Sequence, residues 1–201
     1  LIGPKKIEYF DACVKKVRIM LKKPLLVFDC DYTLWPGDCD KDFLAPFNSF
    51  EGNTYDRYWR VCNPYRDVRE IFQEIADSGM QFAIASRNPS AKHIQQYLNA
   101  IMIDTREGRK SIWKLLPENF FYAHSSGGYG KGKDLHFKEI AEVSKVPFTD
   151  MIFFDDFEDN IEAARKQGTI CVKIDKRDGL TMDAFRSGIE AWASKKNETL
   201  M

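Results

Sequence analysis

Leu25-Leu26-Val27-Phe28-Asp29-Cys30-Asp31-Tyr32-Thr33-Leu34-Trp35 decides the fold: four apolar residues run unbroken into two carboxylates separated by one residue. An apolar run of that length, bounded by turn-forming residues, reads as a strand buried on both faces, as in parallel sheets. Acids at its carboxyl end sit where such sheets place their chemistry. Positions two apart on a strand face the same way, so Asp29 and Asp31 are expected to share a face for as long as the extended geometry lasts. Two carboxylates that close repel, and the usual remedies are a cation between them or a proton on one of them.

The same pattern recurs downstream. Gln81-Phe82-Ala83-Ile84-Ala85-Ser86-Arg87-Asn88 closes a second apolar run in Ser86, and Pro89 suits the first turn of a following helix. Met151-Ile152-Phe153-Phe154-Asp155-Asp156 ends a third run in an acidic pair, which with Asp29 and Asp31 has the all-oxygen character of a hard-cation site. Between and after these runs the period predicts helices over Tyr65 to Ser78, Pro89 to Asn99, Asp134 to Lys145 and Phe157 to Gln167, with further strands near Phe120 and over Thr169 to Ile174. Strands alternating with helices imply a parallel sheet covered on both faces, an α/β three-layer architecture of Rossmann type. Its strand ends line one crevice, so separated segments converge on one site.

Outside that frame, residues 1–23 read as an amphipathic helix packing on the core, residues 24–180 as the core itself, and residues 181–201 as a C-terminal helix and tail. Residues 36–63 show no sustained period but are dense in aromatics and turn residues. They read as a short insertion above the strand ends, either a small cap shaping substrate access or an aromatic cluster covering the sheet edge.

Asp-x-Asp-x-Thr-Leu after an apolar strand resembles the first signature of the haloacid-dehalogenase-like phosphohydrolases, and Asp31-Tyr32-Thr33-Leu34-Trp35-Pro36 resembles their magnesium-dependent phosphatase subgroup. The resemblance implies a Ser or Thr ending a second strand, met by Ser86, a Lys before a later helix, and an acidic pair, met by Asp155-Asp156. For the Lys, Lys131 and Lys133 both lie in the Gly-rich stretch Ser125 to Lys133, and Lys133 is favoured because it directly precedes the helix start at Asp134. As a Lys at a loop–helix junction it is expected to face solvent. The resemblance further implies a Mg²⁺-dependent phosphomonoesterase with Asp29 as nucleophile and Asp31 as general acid–base. Mg²⁺ would be held by the Asp29 carboxylate, the Asp31 main-chain carbonyl and Asp156. Asp155 and Asn160 would orient the ligands or the Lys, while Ser86, Lys133 and the backbone around Cys30 and Arg87 would hold phosphoryl oxygens. Asp38 is placed toward substrate. The implied substrates are phosphotyrosine or phosphoprotein side chains and small sugar phosphates.

Other readings of the same residues are weaker. Gly127 to Lys133 satisfies part of a nucleotide-binding P-loop, but Asp134 stands where a magnesium-binding hydroxyl is required. A phosphoacceptor signalling domain also gathers acids at strand ends, yet there the acidic pair comes early and here it comes last. An inactive scaffold would not need every motif position filled. Cys30 lies between the two acids without a His neighbour, and on a strand its side chain points away from them.

The 201 residues suffice for one well-packed domain, and Lys plus Arg equals Asp plus Glu at 30 each, so no global field draws the chain to nucleic acid or an anionic membrane. Five cysteines without Cys-x-x-Cys spacing suggest reduced thiols and a cytoplasmic setting. No stretch has the length and apolarity of a membrane span, and Leu1 to Lys6 lack the order of a secretion signal.

Overall fold

The computed structural model describes residues 23–125 and 132–198. The helix expected within residues 1–23, apart from its last residue, and most of the Gly-rich loop, Lys131 included, lie outside the described residues. In chain order the elements are β1 (Leu25–Phe28), β2 (Asn48–Phe50), β3 (Asn53–Tyr55), α1 (Val68–Ser78), β4 (Gln81–Ser86), α2 (Ala91–Ala100), β5 (Met102–Thr105) and β6 (Gly108–Ser111). There follow α3 (Ile112–Leu115), β7 (Phe121–Ala123), α4 (Asp134–Ser144), a 3-10 turn at Phe148–Asp150, β8 (Met151–Asp155), α5 (Glu158–Lys166), β9 (Ile170–Lys173) and α6 (Met182–Glu198).

Five strands form one parallel sheet in the order β7-β4-β1-β8-β9, so the chain leaves β1 toward one edge and later returns to its other side. The carboxyl end of β1 is therefore the point where the strand order reverses, and a crevice opens there.

The pleat divides the core in two. Leu26, Phe28, Phe82, Ile84, Ile152 and Phe154 face one cluster, where Ile71, Phe72 and Ile75 of α1 and Phe185 of α6 complete the packing. Leu25, Val27, Ala83, Ala85, Met151 and Phe153 face the other, against Phe137 and Ile140 of α4 and Ile161 and Ala164 of α5. Each large side chain removed from water in this way contributes about 1.5–3 kcal/mol. Phe28 stacks on Phe154 with ring centroids 5.0 Å apart, tying the two central strands on the first face.

Expectation and structure differ mainly at helix starts and in the insertions. α1 begins three residues after Tyr65, whose backbone N–H is instead spent on the Leu34 carbonyl at 2.9 Å. Its other end is sharp, because Gly79 takes the left-handed conformation (φ 67°) that closes the last turn. Within residues 36–63, β2 and β3 form a hairpin whose turn, Glu51-Gly52, has positive φ at both residues, the geometry that matches strand twist. A second hairpin, β5 with β6, followed by the one-turn α3, occupies a region that carried no recognised pattern. Only Ile103 and Ser111 of its strands are buried, so no apolar alternation announced them. No helix among the described residues is long and apolar enough to cross a membrane.

Candidate active site

The parallel register sets the site. Leu25 to Phe28 align with Met151 to Phe154, which places Asp29 beside Asp155, and the Asp29 N–H bonds the Phe154 carbonyl at 3.0 Å. Both acids continue the odd-numbered side of their strands, the side that carries α4 and α5. There Lys133, the residue before α4, donates to Asp29 Oδ1 at 2.5 Å and to Asp155 Oδ2 at 2.6 Å, with its ammonium 5.3 Å from the Phe153 ring centroid. The expected solvent-facing lysine is thus wrong: Lys133 is 1% exposed. Gly132 is what lets the chain press inward at this point, since a Cβ there would lie 2.5 Å from that of Ala163 on α5.

Asp29, Asp155 and Asp156 can each offer an oxygen within 4.8 Å of the others, and all three are buried. Three carboxylates thus face one buried ammonium, with the half-exposed Lys176 reaching Asp156 at 3.1 Å. Burial pushes the Asp29 carboxyl well above the ordinary range, Asp155 and Asp156 add to the rise, and Lys133 opposes it. The hard-oxygen donor set and its excess of negative charge suit a divalent cation. Asp155 has little left to offer: its Oδ1 accepts from the Phe157 N–H at 2.7 Å, and both oxygens lie within 3.1 Å of Asn160 Nδ2.

Asp31 does not continue the face of Asp29. The strand stops at Phe28, the Cys30 carbonyl accepts from Thr33 and Leu34 N–H groups, and Tyr32 takes a left-handed φ of 57°. The reversal turns the Asp31 carboxylate out of the acidic cluster. Its Oδ1 accepts from Trp35 Nε1 at 2.8 Å and from the Cys39 N–H at 3.1 Å, and its Oδ2 from Asn88 Nδ2 at 2.9 Å. Burial raises its pKa, and the Asn88, Trp35 and Cys39 donors draw it partly back. Of the residues expected from sequence to hold the metal, Asp31 is therefore the one whose side chain stands apart, and only its main-chain carbonyl remains as a candidate ligand.

One cleft of about 490 Å³ is lined by Asp29, Asp31, Ser86, Arg87, Lys133, Asp156 and Asn160, with Asp38, Asp40 and Lys41 from the insertion at its rim. Ser86 is buried, its Oγ accepts from the Asn88 N–H at 3.2 Å, and its carbonyl accepts from the His124 N–H at 3.1 Å, with His136 Nε2 2.9 Å away. Asp38 accepts from Lys41 Nζ at 2.7 Å. Asp40 lies 2.6 Å from His93 Nδ1. The Cys30 thiol is buried in the first core cluster, and burial, with the charges of Asp29 and Asp31, pushes its pKa well up. Phe47 stacks on Tyr97 of α2 with ring centroids 4.3 Å apart, while Asp38, Asp40 and Lys41 line the cleft. Sequence reasoning missed Asn88 and the indole of Trp35 as partners of Asp31. The signal was available only in the spacing Asp31-x-x-x-Trp35, which a tight turn closes.

The model of the Acid Phosphatase family matches residues 22–195. Magnesium-dependent phosphatase 1 of Homo sapiens is 29% identical over 177 residues, which is 88% of this chain and 90% of its own length. A HAD-like hydrolase superfamily protein of Schizosaccharomyces pombe is 33% identical over 163 residues, 80% of this chain and 90% of its own. Among solved structures, a haloacid dehalogenase-like hydrolase from Streptococcus pneumoniae superposes with a TM-score of 0.53 at 12% identity, covering 86% of this chain and 98% of that one. The magnesium-complexed N-terminal part of a Bacteroides fragilis protein, containing a phosphatase domain, gives 0.58 at 16% identity over 82% of this chain, which spans only 39% of that longer one. Such identities speak for the fold. The chain belongs to the acid phosphatase family of haloacid-dehalogenase-like hydrolases, and the enzyme class expected from its motifs, a phosphatase, stands with that membership.

Proposed function

We propose that the cleft hydrolyses phosphomonoesters in two steps through an aspartyl-phosphate on Asp29. The observation that carries this reading is the Asp29 carboxylate held on the Lys133 ammonium, 2.5 Å away, in a cleft also lined by Ser86 and Arg87. The anchored carboxylate attacks phosphorus in line while the ester P–O bond breaks. Asp31 gives a proton to the departing oxygen, then takes one from the water that attacks the phosphoenzyme. Ser86 Oγ, the backbone around Cys30 and Arg87, and Lys133 hold the phosphoryl oxygens. The buried trio of carboxylates fits a hard divalent ion, with Asp29, Asp156 and the Asp31 carbonyl as the residues that would hold Mg²⁺. That ion supplies positive charge against the repulsion between an anionic nucleophile and an anionic phosphate. Asp155 and Asn160 keep Lys133 in place through their shared hydrogen bonds.

The cleft volume and the short insertion support substrates whose phosphate stands on a small sugar or on a phosphotyrosine side chain, with Asp38 at the rim toward the leaving group. The four described cysteines are free thiols, which supports a reducing, cytoplasmic setting. A panel of phosphorylated sugars and phosphopeptides assayed with Mg²⁺ tests the reading. Hydrolysis should stop in EDTA and return with Mg²⁺, and acid quenching should trap phosphate on Asp29. Full activity in EDTA, or acid-stable phosphate on a serine or histidine, overturns it. Ca²⁺ should substitute poorly, because its looser coordination can draw both Asp29 oxygens away from attack.

A further inference from the structure

Asn88 is 8% exposed, lines the cleft and belongs to none of the family motif positions discussed above. Its amide is fixed by the chain. Asn88 Oδ1 accepts from the Ser90 N–H at 2.9 Å, which leaves Nδ2 as the donor that faces Asp31 Oδ2 at 2.9 Å and the Cys39 thiol at 3.5 Å. Its own N–H donates to Ser86 Oγ at 3.2 Å, so the same residue ties the phosphate-facing end of β4 to the Asp31 carboxylate. On the other oxygen of Asp31, the Trp35 indole N–H and the Cys39 N–H occupy two acceptor directions. Trp35 cannot drift, being wholly buried and stacked on Tyr97 at 4.2 Å. A carboxyl oxygen has two lone pairs. Oδ1 is therefore saturated, whereas Oδ2 keeps one direction free of donors from the described residues.

We propose that Asn88, with Trp35 as its counterpart on Oδ1, is a positioning residue that restricts proton exchange by Asp31 to the Oδ2 atom and aims that atom at the leaving oxygen. The inference rests on the reading of Asp31 as the acid–base. In the first step the Asp29–phosphorus bond forms, the bond from phosphorus to the ester oxygen breaks, and the electron pair left on that oxygen takes the proton from Asp31 Oδ2. The products are an alcohol, aspartyl-phosphate and a deprotonated Asp31, whose Oδ2 is then held by the Asn88 carboxamide until the attacking water returns a proton.

The experiment is a comparison of two aryl esters with Mg²⁺ present. Phenyl phosphate needs a proton on its departing oxygen, whereas dinitrophenyl phosphate releases a stable anion and does not. kcat/KM reports steps through formation of the phosphoenzyme, so it isolates the protonation of the leaving group from the later hydrolysis. Asn88→Ser keeps an acceptor for the Ser90 N–H but is too short to reach Asp31. It should lose about 10- to 100-fold in kcat/KM on phenyl phosphate, within the span of a general acid, and less than about threefold on dinitrophenyl phosphate. Trp35→Phe, which keeps a ring over Tyr97 and removes the N–H, should show the same selectivity and stands in if Asn88→Ser fails to fold. Asp31→Asn run alongside separates the two ways of being wrong. If Asp31→Asn favours the dinitrophenyl ester and the Asn88 and Trp35 variants lose equally on both esters, the positioning role is overturned while Asp31 keeps its part. If Asp31→Asn itself loses equally on both, the acid–base reading has failed and the positioning role goes with it.

Discussion

Asp29 and Asp31 are neighbours in sequence and opposites in company. Asp29 meets a buried ammonium and two further carboxylates, whereas Asp31 meets an indole N–H, a backbone N–H and a carboxamide. The strand ends at Phe28, and the turn closed on the Cys30 carbonyl by the Thr33 and Leu34 N–H groups takes the second acid off the face of the first. Environment, more than residue type, then separates a group anchored on a buried ammonium from one held by neutral donors, the arrangement by which paired carboxylates take different parts in one reaction.

The sharpest way to break this comparison is to neutralise each acid in turn. Asp29→Asn should lose about 10⁴-fold or more in turnover, as nucleophile removal does in other covalent enzymes, and should give no acid-quenched phosphoenzyme from radiolabelled substrate. Asp31→Asn should lose about 10²–10⁴-fold and still bind Mg²⁺ in a calorimetric titration, because its candidate ligand is a main-chain carbonyl. Indistinguishable behaviour of the two variants in both assays would mean that the two environments do not separate two roles.

Lys133 tests the charged half by itself. Lys133→Met keeps the volume but leaves Asp29 and Asp155 buried side by side without their cation, a change that costs about 3–5 kcal/mol when a buried pair is broken. Urea unfolding in EDTA should show that loss, and added Mg²⁺ should recover part of it by restoring positive charge at the cluster. An unchanged midpoint would contradict the buried ion pair.

The smallest effect concerns the wall behind Ser86. His136 lies wholly buried with its Nε2 on the Ser86 carbonyl and its ring stacked on His124 at 4.2 Å. Burial, then the charge of Lys133, then that of His124 push its pKa down to about 4. The unfolded chain therefore takes up the proton more readily than the folded one. The contribution to stability is complete above about pH 6.5 and is lost as pH falls toward 4, by up to about 3 kcal/mol. Asp31, whose pKa is raised, acts with the opposite sign over acidic pH, so the useful quantity is the difference between wild type and His136→Asn. The variant should show the shallower fall in urea midpoint between pH 7 and 5, and parallel curves would remove His136 from the account.

Much of this molecule could be read before it was seen, for a physical reason. β1, β4 and β8 are short continuous apolar runs, buried on both faces, and each ends in a polar residue that the parallel sheet brings to one edge. What escaped the sequence depends on side chains meeting across turns. The hairpin at Met102 to Ser111 buries only Ile103 and Ser111 of its strand residues, too few to leave a pattern. The burial of Lys133 depends on Gly132 fitting against Ala163, a contact between residues 31 apart in the numbering given by their positions. The separation of Asp31 from Asp29 depends on the strand ending at Phe28 and a turn closing on the Cys30 carbonyl, which no apolar period encodes.

The strand order also has a consequence for the newborn chain. β1 carries Asp29 at the centre of the sheet, but one of its two edges waits for β8, which is synthesised more than 120 residues later. Until the ribosome has released Met151 to Asp155, that apolar edge has no partner from its own chain and is open to pairing with another. The same strand delivers Asp155 and Asp156, so closure of the hazardous edge and completion of the acidic cluster are one event. A chain that has gained the cluster has also lost its most exposed invitation to aggregate.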